Sequence, residues 1–191
     1  MKKLNLGCGP SGKNGWINYD WGILPLINKL GLTKILVQMG ILDKNYLVKW
    51  PKFFLVDIRK RFPLNDDEID YVYCSHVLEH FEPWEAKKIL TESRRVLKKG
   101  GKIRLILPDI AYIIKNYGDA GQFNEFVFGY NKEKKYRFSF FIRGHQWMYD
   151  KKSFKKLLEE CGFKKIKLSS WKKGSDLEIH KNMSFYYEAE K

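Results

Sequence analysis

The feature that most constrains this chain is its opening stretch, KKLNLGCGPSGKNGWINYD, an apolar run that breaks into glycine and ends on an acidic residue. Leu4 and Leu6 read as the end of a buried strand, and Gly7, Gly9 and Gly12 follow at G-x-G-x-x-G spacing. Glycine lets the backbone turn sharply there and bring its N–H groups close to a ligand that a Cβ would hold off. Such a loop directly after a strand predicts a nucleotide-type pocket in a fold with a parallel sheet.

The rest of the chain supplies that sheet. Residues 21–50 carry apolar positions broken by Pro25, Gly31 and Gly40, which predicts one or two short amphipathic helices. Phe53 to Val56 reads as a second buried strand ending at Asp57, and Ile69 to Cys74 as a third, rich in β-branched and aromatic residues. Glu85 to Leu97 has helical periodicity with Gly100 as its stop, and Lys102 to Leu107 is a fourth strand closed by Pro108 and Asp109. Strand, helix and strand at this spacing make a βαβ unit. Asp150 is the expected N-cap of a helix reaching Cys161 with Phe154, Leu157 and Leu158 inward, and Phe163 to Trp171 and Met183 to Ala189 are two last strands. Between them, residues 110–149 are dense in aromatics and too long for a plain connection.

In this order the motifs resemble those of the class I S-adenosylmethionine-dependent methyltransferases, of the small bacterial, type 11-like kind. LNLGCG is similar to their first motif, FFLVDI to the strand with an adenine-side acid, IDYVYCSHVLEHF to the fourth-strand motif, and RRVLKKGGKIRLILPD to the helix, glycine turn and fifth strand. The resemblance implies an α/β Rossmann-like fold: a seven-stranded sheet, six strands parallel and the last antiparallel, with helices on both faces. It implies S-adenosylmethionine as cofactor and S-adenosylhomocysteine as product. It places Leu6, Gly7, Cys8, Gly9, Asp20, Asp57, Ile58, Ser75 and His76 around that cofactor, with Asp20 on the ribose hydroxyls and Asp57 on the adenine amino group.

One departure stands out. Dinucleotide folds set about 20 residues, including a helix, between the glycine loop and the ribose acid. Asp20 comes too soon for that. Either the first crossover has shrunk to a loop, or Asp57 is the ribose acid and residues 22–50 form the crossover; the first is the preferred reading.

Methyl transfer from a sulfonium is an in-line displacement that needs alignment above all, and a base only where the acceptor must lose a proton. His76, Asp109 and His145 are the candidate catalytic residues for that task. His76 and His80 flank HVLEH, but the H-E-x-x-H order is absent and no third ligand is evident, so no metal is expected.

The 191 residues suit one domain, with insertions at about 21–50 and 117–143 that should overhang the pocket and select the acceptor. The expected acceptor is a small polar molecule, such as a sugar of a cell-surface glycan or its nucleotide- or lipid-linked precursor. Aromatic faces together with Arg137 and Arg143 suit it. The net charge of +14 favours anionic partners, so RNA methylation is an alternative, although no N-P-P-Y or D-P-P-Y motif stands after the fourth-strand position. A non-catalytic cofactor-binding partner is another. Three scattered cysteines and no signal-like or membrane-spanning run point to the cytoplasm, with peripheral membrane contact through residues 23–42 as a further expectation. The oligomeric state is not readable.

Overall fold

The computed structural model describes residues 1–128, 144–178 and 181–191. Seven strands form one sheet: β1 (Lys3–Leu6), β2 (Ile17–Asp20), β3 (Phe54–Leu55), β4 (Ile69–Ser75), β5 (Leu97–Pro108), β6 (Lys164–Ser169) and β7 (Ser184–Glu190). Their spatial order is β3-β2-β1-β4-β5-β7-β6. Every pairing from β3 to β5 is parallel, and β7 runs antiparallel to both β5 and β6. Six strands therefore share a direction and only β7 opposes them, as the resemblance implied. The order reverses at β1, between β2 and β4, which is where parallel sheets open a ligand crevice at their carboxyl ends.

The second strand is not the one expected. Ile17–Asp20 pairs in register with β1, Leu4 against Ile17 and Leu6 against Tyr19. In place of a crossover helix, a three-residue 3-10 turn over Gly9–Ser11 joins the two strands. The FFLV run, read as a second buried strand, supplies the third and is an edge of only two residues with Phe54 half exposed. Gly100 does not stop a helix either. The helix α3 (Pro83–Val96) ends earlier, and Gly100 sits at φ 74° in the irregular start of β5, where the register steps from Ile69–Leu97 to Tyr71–Lys102.

Helices α1 (Ile23–Lys29) and α2 (Thr33–Gln38) lie between β2 and β3, α4 (Ile110–Asn116) and α5 (Ala120–Phe128) follow β5, and α6 (Lys151–Glu160) precedes β6. Glu82 and Glu85 close a capping box on α3, and Asp150 with Ser153 does so on α6. Ala86, Ile89 and Leu90 of α3 and Phe154 and Leu158 of α6 bury one stripe each against Leu4, Leu6, Val72, Ile103, Leu105 and Tyr187, which form the main core. The opposite sheet face holds a small aromatic cluster of Tyr73, Ile106 and Tyr186 with Trp16, Tyr71 and Trp171. Between these rings lies Arg104, fully buried, whose guanidinium meets Asp176, Glu188 and the Ser170 carbonyl. That network straps the 170–178 segment onto the sheet. No helix among the described residues is long and apolar enough to cross a membrane.

Candidate cofactor and acceptor site

The strand ends around the switch point build two adjoining clefts separated by the glycine loop. The larger, about 400 Å³, is walled by Ile23, Leu24, Pro25, Ile58, Val77 and Phe81, with Asp20, Asp57, His76 and His80 at its polar edge. The smaller, about 190 Å³, is polar and includes Asn5, Lys13, Tyr73, Ser75 and Ser175. Gly7, Gly9 and His76 border both. Gly7 has φ 60°, and a Cβ on it would overlap Val77 Cγ2, so glycine is required there for conformation and for space.

Asp20 closes β2 beside this loop. Its Oδ2 accepts from Gly9 N at 2.6 Å and its Oδ1 from Trp21 N at 2.7 Å. Burial raises its pKa above the ordinary 3.8, and the Gly9 and Trp21 amides oppose that rise. With the Cys8 side chain also hydrogen-bonded to the carboxylate, one lone pair is left for a further donor. Cys8 lies against it, and its thiol is pushed up to about 12 by burial and then by the Asp20 charge. Cys8 N–H donates to Tyr19 O at 3.0 Å, so its backbone belongs to the β1–β2 connection. Leu6 is fully buried in the core, with its side chain packing the loop from below.

Asp57 follows β3 and is engaged by its own neighbour. Arg59 Nε and Nη2 donate to its two oxygens at 2.8 Å each, and this pairing holds the carboxyl below its usual range. Asp57 and the buried Ile58 both line the large cleft. Ser75 ends β4 in the small cleft.

His76 occupies the left-handed region at φ 53°, a conformation costing a non-glycine residue about 1–2 kcal/mol. It is held there because its N–H donates to Ile106 O at 2.9 Å and both ring nitrogens are engaged. Nε2 lies 2.9 Å from Ser184 Oγ, and Nδ1 stands 3.3 Å from Glu79 Oε1. This backbone, shared elsewhere by Asp67 and Lys165, together with its place between two clefts makes His76 a candidate functional position.

Two of the remaining candidates fall elsewhere. Asp109 is buried as the N-cap of α4, accepting from Ala111 N at 3.1 Å and pairing with Lys151 at 3.1 Å; it lines neither cleft. A capping carboxylate explains its place. His145 also lines neither cleft but packs against His80, ring centroids 4.9 Å apart, with Glu79 close by. Burial lowers its pKa, so it is neutral at pH 7. Arg137 and Arg143, together with Tyr130, Tyr136, Phe138, Phe140 and Phe141, lie outside the described residues. The sequence reading missed Lys13, Asn5 and Glu79. Lys13 carried no signal, because its position under the loop depends on Ser175, whose carbonyl accepts from Lys13 Nζ.

These residues fit S-adenosylmethionine. A carboxylate held by two amides stands where a ribose diol would donate, apolar walls flank it, and a glycine cradle that a Cβ would fill adjoins a polar cleft with a lysine.

Comparison with known proteins agrees with this assignment. The model of a family described as a methyltransferase domain matches residues 31–105, a span that starts after β2 and leaves out the glycine loop. An uncharacterized protein of Methanocaldococcus jannaschii is 33% identical over 106 residues, 55% of this chain; the chain spans 43% of that relative's length. Among solved structures, a methyltransferase from Thermotoga maritima described as a possible histamine N-methyltransferase aligns over 100% of this chain and 82% of its own, at a TM-score of 0.57 and 16% identity. S-adenosylmethionine-dependent methyltransferases from Archaeoglobus fulgidus and Methanosarcina mazei align over the whole chain and over 86% and 92% of theirs, at TM-scores of 0.59 and 0.58 and identities of 15% and 17%. The fold is that of the class I methyltransferases.

Proposed function

We propose that this chain, built on the class I methyltransferase fold, transfers a methyl group from S-adenosylmethionine to a small polar acceptor, a sugar or sugar phosphate of the kind used in glycan assembly. The observation that carries the reading is Asp20: a partly buried carboxylate at the end of β2, oriented by the Gly9 and Trp21 amides at the mouth of a cleft with apolar walls. Asp20 would take the ribose hydroxyls, with Ile58, Val77 and Phe81 against the base, and the lysine-bearing small cleft would take the amino-acid end. Asp57, tied to Arg59, would contribute one remaining lone pair at the adenine edge.

The bound cofactor supplies a methyl group already activated by its sulfonium. The protein's part is then to exclude water and hold the acceptor in line. His76, bordering both clefts and fixed by Ser184 and Glu79, is the side chain best placed to meet that acceptor. The acceptor class is supported by half-exposed aromatic surfaces at Tyr117, Phe126 and Trp147, which suit the faces of sugar rings, and by the +14 charge, which suits a phosphate.

The test is calorimetry with S-adenosylhomocysteine on the wild type, Asp20→Ala and Asp57→Ala, followed by a screen of sugar phosphates and short RNA with methyl-labelled cofactor. Asp20→Ala should lose at least tenfold in affinity and Asp57→Ala less. Unchanged binding by Asp20→Ala refutes the assignment, and labelling of RNA but no sugar refutes the acceptor class.

A further inference from the structure

The large cleft has a neighbour that cofactor binding does not use. Glu79, His80 and His145 each offer one ligand atom, and the three atoms lie within 4.8 Å of one another. Glu79 is 1% exposed; His76 Nδ1 stands 3.3 Å from its Oε1, and its Oε2 has no hydrogen-bond partner among the described residues. Its contact with His76 Nδ1 is an ion pair only when that ring is protonated. Buried carboxylates are ordinarily hydrogen-bonded, paired or bound to a cation, and the second oxygen of Glu79 is open to the last of these.

His145 is set as metal-binding histidines are. Its Nδ1 lies 3.1 Å from both the Phe126 and the Val127 carbonyls, so Nδ1 carries the proton and the lone pair is on Nε2. The backbone fixes its distance from Glu79: Gln146 N and Trp147 N donate to Glu79 O at 2.7 and 3.1 Å, clipping the 145–147 strand of chain to the Leu78–His80 turn. Two imidazoles and one carboxylate are the donor set of open zinc and non-haem iron sites, where solvent or substrate takes the remaining positions.

We propose that Glu79, His80 and His145 form a site for one divalent transition-metal ion at the edge of the cofactor cleft. His80 lines the cleft together with His76, so an acceptor that meets His76 is the group within reach of a position left open on the ion. The ligand that fits it is an oxygen of the acceptor, a hydroxyl or a carboxylate. That use rests on the methyl-transfer reading; the site itself does not.

The whole chain is stripped with chelator and titrated with Co²⁺, reading its visible absorption, then with Zn²⁺ in competition. The expected result is one equivalent of Co²⁺ bound and displaced by Zn²⁺, with binding weakened at least tenfold in both His145→Ala and Glu79→Gln. His145→Ala removes a partly exposed side chain and tests the site even if the buried Glu79→Gln fails to fold. Wild-type chain that takes up no Co²⁺, or His145→Ala that binds it as tightly as wild type, overturns the proposal. S-adenosylhomocysteine affinity is measured on the stripped protein in parallel. Retained affinity there with no uptake of Co²⁺ removes the metal site alone, whereas Co²⁺ uptake with no such affinity keeps the site and removes the acceptor's role.

Discussion

On the proposed function Asp20 holds the cofactor's ribose, and its environment predicts how binding responds to acid. Burial raises its pKa above 3.8 despite two amide donors, so it protonates earlier in an acid titration than an exposed aspartate. Only the ionised carboxylate keeps its remaining lone pair for a diol. S-adenosylhomocysteine affinity should therefore fall as pH drops through a value above 3.8, and Asp20→Asn should abolish that step. At pH 7 the substitution should weaken binding roughly tenfold to a hundredfold, the scale of a lost hydrogen bond to a charged group, about 1.5–3 kcal/mol. Calorimetry between pH 4.5 and 7.5 checks both, and a pH step surviving in the variant would assign it to another group. Gly7→Ala makes a steric counterpart: its φ of 60° and the overlap with Val77 should cost the fold about 1–2 kcal/mol or more, read as a lowered Tm. Both residues were legible in the sequence because a glycine loop and a strand-end acid are local patterns. Asp109 was read as a site residue for the same reason, and the structure shows it capping α4. A strand-end acid caps a helix as readily as it meets a ligand, and only packing tells the two apart.

Elements were legible where they bury a stripe. Helix α3 announces itself by periodicity, α6 by periodicity and its Asp150 cap, and β4 and β5 by apolar runs. The four residues of β2 carry no such run: Asn18 turns its amide back to the Lys13 and Lys52 carbonyls, and strand identity comes from pairing with β1. Equally hidden was the cover of the second sheet face. Arg104 looked like one polar residue in KIRLIL, yet it is fully buried and anchors the 170–178 segment through Asp176. Removing one partner of a buried pair leaves an uncompensated charge and costs about 3–5 kcal/mol, whereas replacing both with apolar residues is often neutral. Asp176→Ala should thus lower stability in urea by that amount, with Arg104→Met/Asp176→Leu recovering most of it. Because Ser175 accepts from Lys13, Asp176→Ala should also weaken S-adenosylhomocysteine more than 5′-methylthioadenosine, which lacks the amino-acid end. Equal weakening of the two ligands would detach the strap from the small cleft.

At the scale of the whole molecule, charge and buried pairing act together on acid stability. Asp57 is held below its ordinary pKa of 3.8 by Arg59, and in Glu92 and Glu188 burial is outweighed by Arg95 and by Lys172 with Arg104, leaving both below 4.5. A carboxylate depressed in the folded state stabilises the fold fully above its unfolded pKa, and that stabilisation is lost as pH falls through the folded value. Asp20 has the opposite sign: its raised pKa costs stability as pH rises, so its protonation offsets part of the loss. Among the described carboxylates ten are held low and Asp20 alone is raised, which leaves a net loss in acid. The same protons increase a net charge that is already +14 at pH 7, adding self-repulsion that salt screens. Tm should accordingly hold steady from pH 7 to 5, then fall steeply below about 4.5, the reference value for glutamate. Raising the salt should recover the repulsive part but not the buried pairs, so scanning fluorimetry at low and high salt separates the two. A Tm that rises on acidification would mean that Asp20 dominates the balance, and full recovery by salt would mean that the Arg59, Arg95 and Arg104 pairings contribute little to it.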